Sequence, residues 1–295
     1  MLKNVTDFRK KLLKKFSYSP TSRQSKLFVM LVDFVFSKDY QTLFLMKGYA
    51  GTGKTSAISA LVSTLRETEK KSVLLAPTGR AAKVISVYSK VPAYTIHKKI
   101  YFPKKQQNGS VDFVLQTNKH KNTIFIVDEA SMIPDRPQNG KLFENGSLLD
   151  DLISYVYSGY HCKLILIGDT AQLPPVKLSI SPALDENRLE IDYDKNVFKI
   201  ELNEVTRQHE NSGILLNATL LRTLIENDAT NFRFDMNYPD IVRLIDGYDI
   251  QDAISGCYDN DGVEDTAFIV RSNKRANQYN QQIRSQIRGK ENEIS

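Results

Sequence analysis

The 295 residues suffice for one large domain or two ordinary ones, and 41% hydrophobic with 25% charged residues is an ordinary globular composition. No apolar run approaches a membrane span, and the basic start of the chain lacks the apolar core of a secretory signal, so membrane and exported classes are excluded and a cytoplasmic location is expected. The net charge of +6 hides an asymmetry: residues 1–127 hold 23 Lys/Arg against 6 Asp/Glu, and the remainder 17 against 28, which points to a polyanion-facing front.

Phe8, Leu12, Leu13 and Phe16 fall on one helical face, which predicts a docked amphipathic helix at the start. A second helix is expected over 25–36, with Leu27, Phe28, Met30, Leu31, Phe34 and Val35 apolar. Just ahead of it stands Gln24, whose amide can pair donor and acceptor with an adenine edge, although a surface position is the plainer reading. The apolar run Leu43–Met46 then leads into Gly48-Tyr49-Ala50-Gly51-Thr52-Gly53-Lys54-Thr55, followed by a helix-compatible segment. This strand–loop–helix context with G-x-x-x-x-G-K-T spacing predicts a phosphate-binding P-loop. The residues between Gly48 and Gly53 would wrap the phosphates with backbone N–H groups, Lys54 would reach the β/γ-phosphates, and the Thr55 hydroxyl would ligate Mg²⁺.

A second strand, Val73–Ala76, ends in the turn Pro77-Thr78-Gly79-Arg80, with Lys83 on the helix behind it. The carboxyl end of an open α/β sheet is where ligands bind. His97 stands at a helix start and reads as structural when taken alone. Between about 98 and 122 the α/β rhythm stops, and Asn108-Gly109 between two arms predicts a hairpin insertion. The strand Thr123–Val127 is apolar throughout, as a buried parallel strand should be, and ends in Asp128-Glu129. Such a pair suits Asp128 to Mg²⁺ and Glu129 to deprotonating the attacking water. A helix over 148–157 and a buried strand over 163–168 precede Asp169-Thr170-Ala171-Gln172-Leu173-Pro174-Pro175, where Gln172 is the candidate γ-phosphate sensor. The stretch 179–199 shows no clear period. A helix over 214–225, a strand over 266–270 and a polar helix from Ser272 to Arg288 suggest the start of a second α/β domain. Cys162 and Cys257 read as reduced, buried thiols.

Taken in order, the P-loop, Ala76-Pro77-Thr78-Gly79-Arg80-Ala81-Ala82, Ile126-Val127-Asp128-Glu129-Ala130-Ser131, Gly168-Asp169-Thr170-Ala171-Gln172-Leu173-Pro174-Pro175 and Thr206-Arg207-Gln208 resemble the RecD/Dda-like branch of the superfamily 1 DNA helicases. The resemblance spans about Gln24 to Arg288. It implies two RecA-like domains, at 1–200 and 201–295, with ATP and Mg²⁺ between them. Single-stranded DNA, or a single-/double-strand junction, would lie across their tops. It makes Gln24 the adenine reader and Arg207 an arginine finger, brings Thr78, Lys83 and His97 to the DNA backbone, and makes the hairpin a strand-separating pin. A monomeric motor running 5′ to 3′ in DNA repair or recombination is the implied activity. The alternative is a nucleotide-gated nucleic-acid-binding module that does not translocate. The branch's later His-Lys-Ser-Gln-Gly-like stretch and second arginine finger do not occur before Ser295, so the expectation is an incomplete second motor domain.

Overall fold

The computed structural model describes residues 2–105, 111–134, 147–175, 178, 180–204, 212–227, 231–263, 265–287 and 289. Two helices come first, α1 (Leu2–Lys15) and α2 (Ser22–Phe36). Thr21 caps α2 by accepting the Gln24 N–H, while the Gln24 side chain accepts the Thr21 N–H, a reciprocal capping box. Then follow β1 (Thr42–Gly48), α3 (Lys54–Glu67), β2 (Lys71–Ala76), α4 (Gly79–Ser89), β3 (Ala93–Thr95) and α5 (Ile96–Ile100). The hairpin β4 (Tyr101–Lys105) and β5 (Val111–Leu115) interrupts before β6 (Thr123–Val127), α6 (Leu148–Ser158), β7 (Lys163–Gly168), α7 (Glu186–Ile191) and β8 (Asn196–Leu202).

Six of these strands form one sheet in the order β3-β2-β6-β7-β1-β8, parallel at every pairing. Parallel strands need crossover helices, and those helices cover both faces. Phe44 and Met46 of β1 therefore enter one core with α1 to α4, while Leu43 and Leu45 enter the other with α5 and α6. The amphipathic start behaves as its pattern demands, with Phe8, Leu12 and Phe16 buried and Leu13 partly exposed. The insertion is an antiparallel hairpin pairing Tyr101 with Leu115 and Lys105 with Val111, and its Asn108-Gly109 turn lies outside the described residues.

One cation is built into this frame. Lys163, buried at the start of β7, donates its Nζ to the carbonyls of Phe34 at 2.8 Å and Ser37 at 2.7 Å, satisfying the C-terminal end of α2. Burial lowers its pKa to about 8 from 10.5, with Asp39 opposing the shift and Lys70 adding to it. Between those two values the unfolded chain binds the extra proton, so this group makes stability rise with pH. Relative to Lys163→Met, the wild type should gain on the order of 2 kcal/mol between pH 7.5 and 9.5 in urea unfolding. A gap between the two proteins that does not move with pH would refute this.

The chain divides into two compact units, Met1–Gln208 and His209–Ser295. The position 200/201, where a domain change was expected, falls inside β8, whose alternating Phe198, Ile200 and Leu202 face the first unit's core. The second unit has α8 (Gly213–Glu226), α9 (Gly247–Asn260) and α10 (Asn273–Gln282), the last continued by a π-helical turn over Ile283–Ile287. The strand expected over 266–270 is absent: the segment joins no β-pairing among the described residues, and Ile269 is 95% exposed. A strand takes its hydrogen bonds from a neighbour, and no strand occurs among the described residues of this unit. Cys162 is buried as expected, but Cys257 is exposed on α9, whose side faces few neighbours.

Candidate nucleotide site

The loop between β1 and α3 turns through two left-handed glycines, Gly51 at φ 80° and Gly53 at φ 86°. A Cβ on Gly53 would stand 2.6 Å from the Gln24 Nε2, so this position excludes a side chain twice over. Gly53 caps α3 with no side-chain hydrogen bond, which leaves the positive end of the helix dipole to the loop. Thr52 locks the loop from behind, donating its hydroxyl to the Tyr49 carbonyl at 2.8 Å. The Tyr49 N–H reaches the Leu202 carbonyl of β8 at 3.2 Å. Lys54 donates to the carbonyls of Gly48 at 2.5 Å and Tyr49 at 2.8 Å, with the Asp169 carboxylate 4.0 Å away.

Gln24 is buried here rather than on the surface. Its Nε2 donates to the Thr52 carbonyl at 2.9 Å and its Oε1 belongs to the α2 capping box, so one side chain fastens α2 to the P-loop. The same side chain also lines the cavity beside the loop.

The acidic pair follows from the sheet. The Asp128 N–H donates to the Leu75 carbonyl at 3.0 Å, continuing the pairing of β6 with β2. Its carboxylate accepts the Glu129 N–H at 2.9 Å. Burial raises the Asp128 pKa from 3.8 to about 6; the Glu129 N–H bond opposes this, the Glu129 charge adds to it, and Lys54 lowers it slightly. A carboxyl held this high is short of positive charge, which is the chemistry a cation would supply. Glu129 lies in the left-handed region at φ 56°, an uncommon setting for a non-glycine residue and one that recurs at functional sites. The short 3₁₀ turn Ala130–Met132 follows it.

β7 delivers the next group. Gly168 is a close-approach glycine: a Cβ there would lie 3.0 Å from the Ser131 nitrogen and 2.7 Å from Leu184. Beyond it, buried Asp169 accepts the Ala171 N–H at 2.9 Å, and Ser131 donates to Gln172 Oε1 across 3.3 Å. Glu129, Asp128, Asp169, Gln172, Lys54 and Thr55 thus line one cavity of about 500 Å³, with Gln24, Tyr18 and Phe16 at another side.

Of the residues singled out in the sequence, Gln24, Ala50, Gly51, Gly53, Lys54, Thr55, Asp128, Glu129 and Gln172 line this cavity, while Gly48 and Thr52 shape the loop from behind. Thr78, Lys83 and His97 are not among its lining. Thr78 caps α4 by accepting the Ala81 N–H at 3.2 Å, and Lys83 is exposed on that helix. Desolvation lowers the His97 pKa, although the residue is exposed at the start of α5. Arg207 lies outside the described residues. Asp169 and Ser131 stand inside the sequence motifs without an expected role, although Asp169 follows a fully buried strand just as Asp128 does.

A parallel sheet carrying a P-loop at one strand end and a carboxylate pair at another defines the P-loop nucleotide-binding fold. Residues 34–178 match the family model of an AAA domain. The chain is 29% identical over 135 residues to the ATP-dependent RecD2 DNA helicase of Deinococcus radiodurans, covering 45% of this chain and 16% of that protein. It is 31% identical over 172 residues to the ATP-dependent DNA helicase dda of Enterobacteria phage T4, covering 56% of this chain and 34% of that protein. Among solved structures, the Pif1 helicase from Candida albicans superposes with a TM-score of 0.50 at 18% identity, over 92% of this chain and 55% of the other, which is a likeness of fold. Over about half its length the chain is thus similar to DNA helicases of the RecD2 and Dda type. It spans about a third or less of the length of the curated relatives it matches.

Proposed function

We propose that this chain is the ATP-hydrolysing part of a DNA helicase that moves 5′ to 3′ on single-stranded DNA. The observation that carries the reading is the convergence of Lys54, Asp128, Glu129, Asp169 and Gln172 on one cavity beside the P-loop. There the loop N–H groups and Lys54 bind the β- and γ-phosphates, and Lys54 exchanges its carbonyl partners for them. Thr55 and Asp128 would hold Mg²⁺, which would supply positive charge against the phosphates. Glu129 takes the proton of the attacking water, and Gln172, steadied by Ser131, contacts the γ-phosphate. Arg207 is the proposed arginine finger, while Thr78, Lys83 and His97 are the proposed DNA contacts. Desolvation favours the neutral imidazole of His97, which suits it to hydrogen bonding. The hairpin is the proposed pin, and a monomer in the cytoplasm is the proposed state. No described helix is long and apolar enough to cross a membrane.

ATPase assays with and without single-stranded DNA test this. Turnover that DNA stimulates supports a motor, while DNA binding without stimulated turnover supports a nucleotide-gated binding module. Affinity for a single strand should also fall steeply with salt through counterion release, and Lys83→Ala should shallow the log–log slope by roughly one. A salt-independent affinity would remove the nucleic-acid reading.

A further inference from the structure

A second cavity, of about 420 Å³, lies against α5 and the segment that leaves the hairpin. Lys98, Lys99, Lys119 and His120 line it with Tyr94 and Tyr155, and no carboxylate is among its lining residues. The Lys99 Nζ stands 5.6 Å from the centre of the Tyr94 ring, and that ring is 40% exposed. Tyr155 of α6 is buried and forms the apolar floor. The charges of Lys99 and Lys71, after burial, lower the His120 pKa, which registers a positive field.

The position in the fold gives this cavity its meaning. Its two walls are the two roots of the hairpin: Lys98 and Lys99 directly precede β4, and Gln116, Lys119 and His120 follow β5. Gln116 closes the root, donating its N–H to the Ile100 carbonyl at 2.7 Å and its Nε2 to the Tyr101 carbonyl at 2.6 Å. The helix α4, with Lys83, packs on the other face of the sheet: Ile85 enters the core with α3, whereas Ile96 and Ile100 of α5 enter the opposite core. The edge strand β3 runs between the two. Two basic surfaces therefore flank one edge of the sheet, one on each face.

From this juxtaposition we infer that the cavity at the hairpin root binds the phosphodiester backbone of a second nucleic-acid strand, with a sugar or base against Tyr94, while the first strand takes Thr78, Lys83 and His97, none of which lines this cavity. The three lysines supply sequence-independent phosphate contacts, and the exposed ring accepts any base face. The site discriminates a fork from a single strand. This rests on the proposed nucleic-acid function but needs no turnover.

The test is equilibrium binding of the 295-residue chain to a labelled 20-nucleotide single strand and to a fork carrying the same strand. The wild type is compared with K98Q/K99Q/K119Q and with R9Q/K10Q/K14Q, which removes equal charge from exposed positions of α1. The pocket variant should lose about tenfold in fork affinity, and its salt slope for the fork should fall by about two to three, with single-strand affinity held within about twofold. The α1 variant should stay within about twofold on both probes. A parallel loss on both probes, an unchanged fork affinity, or an equal loss in the α1 variant would overturn the second site. If the wild type binds neither probe, the nucleic-acid reading itself fails. If the wild type binds the single strand and the pocket variant matches it on the fork, only the second site fails.

Discussion

Glu129→Gln is expected to lower ATP turnover by about a hundredfold to ten-thousandfold, the usual worth of a positioned general base, while ATP still binds. Glutamine keeps the size and the backbone setting of Glu129 but cannot accept a proton. Lys54→Ala should do the opposite and weaken nucleotide binding itself, because Lys54 is the cation of the phosphate cradle. Nucleotide titration of both variants, followed by single-turnover hydrolysis, separates the two roles. Equal loss of binding in both would show that Glu129 acts on the ground state and is not the base.

Asp128→Asn is expected to stabilise the protein in the absence of nucleotide and Mg²⁺. The folded pKa of about 6 lies above the unfolded value near 3.8, so the folded state binds the extra proton between them. The contribution of Asp128 to stability is greatest below pH 4 and is lost as pH rises through 6, by up to about 3 kcal/mol. Asparagine carries no charge and can still accept the Glu129 N–H that Asp128 accepts now. The variant should therefore match the wild type at pH 3.5 and melt higher at pH 7.5. Adding Mg²⁺ and a non-hydrolysable nucleotide should narrow or reverse that gap. A variant that is less stable than the wild type at pH 7.5 without ligand would contradict the burial argument.

What could be read from the sequence, and what could not, follows physical lines. The P-loop and the strand ending in Asp128-Glu129 were legible because each couples a local rule to a buried strand: left-handed glycines before a helix, and carboxylates after four consecutive apolar residues. The hairpin was legible from its turn. The sheet edges were not. β3 has only three residues, and β8 is half-exposed, so neither carries the continuous apolar run of a central strand. Asp169 was passed over because the prolines after it drew attention to the loop, although β7 is as buried as β6. The strand at 266–270 was expected from composition alone, and composition supplies no hydrogen-bonding neighbour. Gln24, for which a surface position was the plainer reading, is buried, because its bond to Thr52 arises only in tertiary structure.

The stretch shared with the AAA family begins at residue 34 and ends at 178, and the folded object does not respect those limits. A fragment cut there would forfeit Phe8, Leu12, Phe16, Leu27, Phe28 and Leu31, all of them core. It would forfeit Gln24 as well, and with β8 gone the strand that carries the P-loop would become a bare edge. The piece that recurs between proteins is thus smaller than the piece that can stand alone. Swapping this segment between relatives should succeed only when its own helices and strand travel with it.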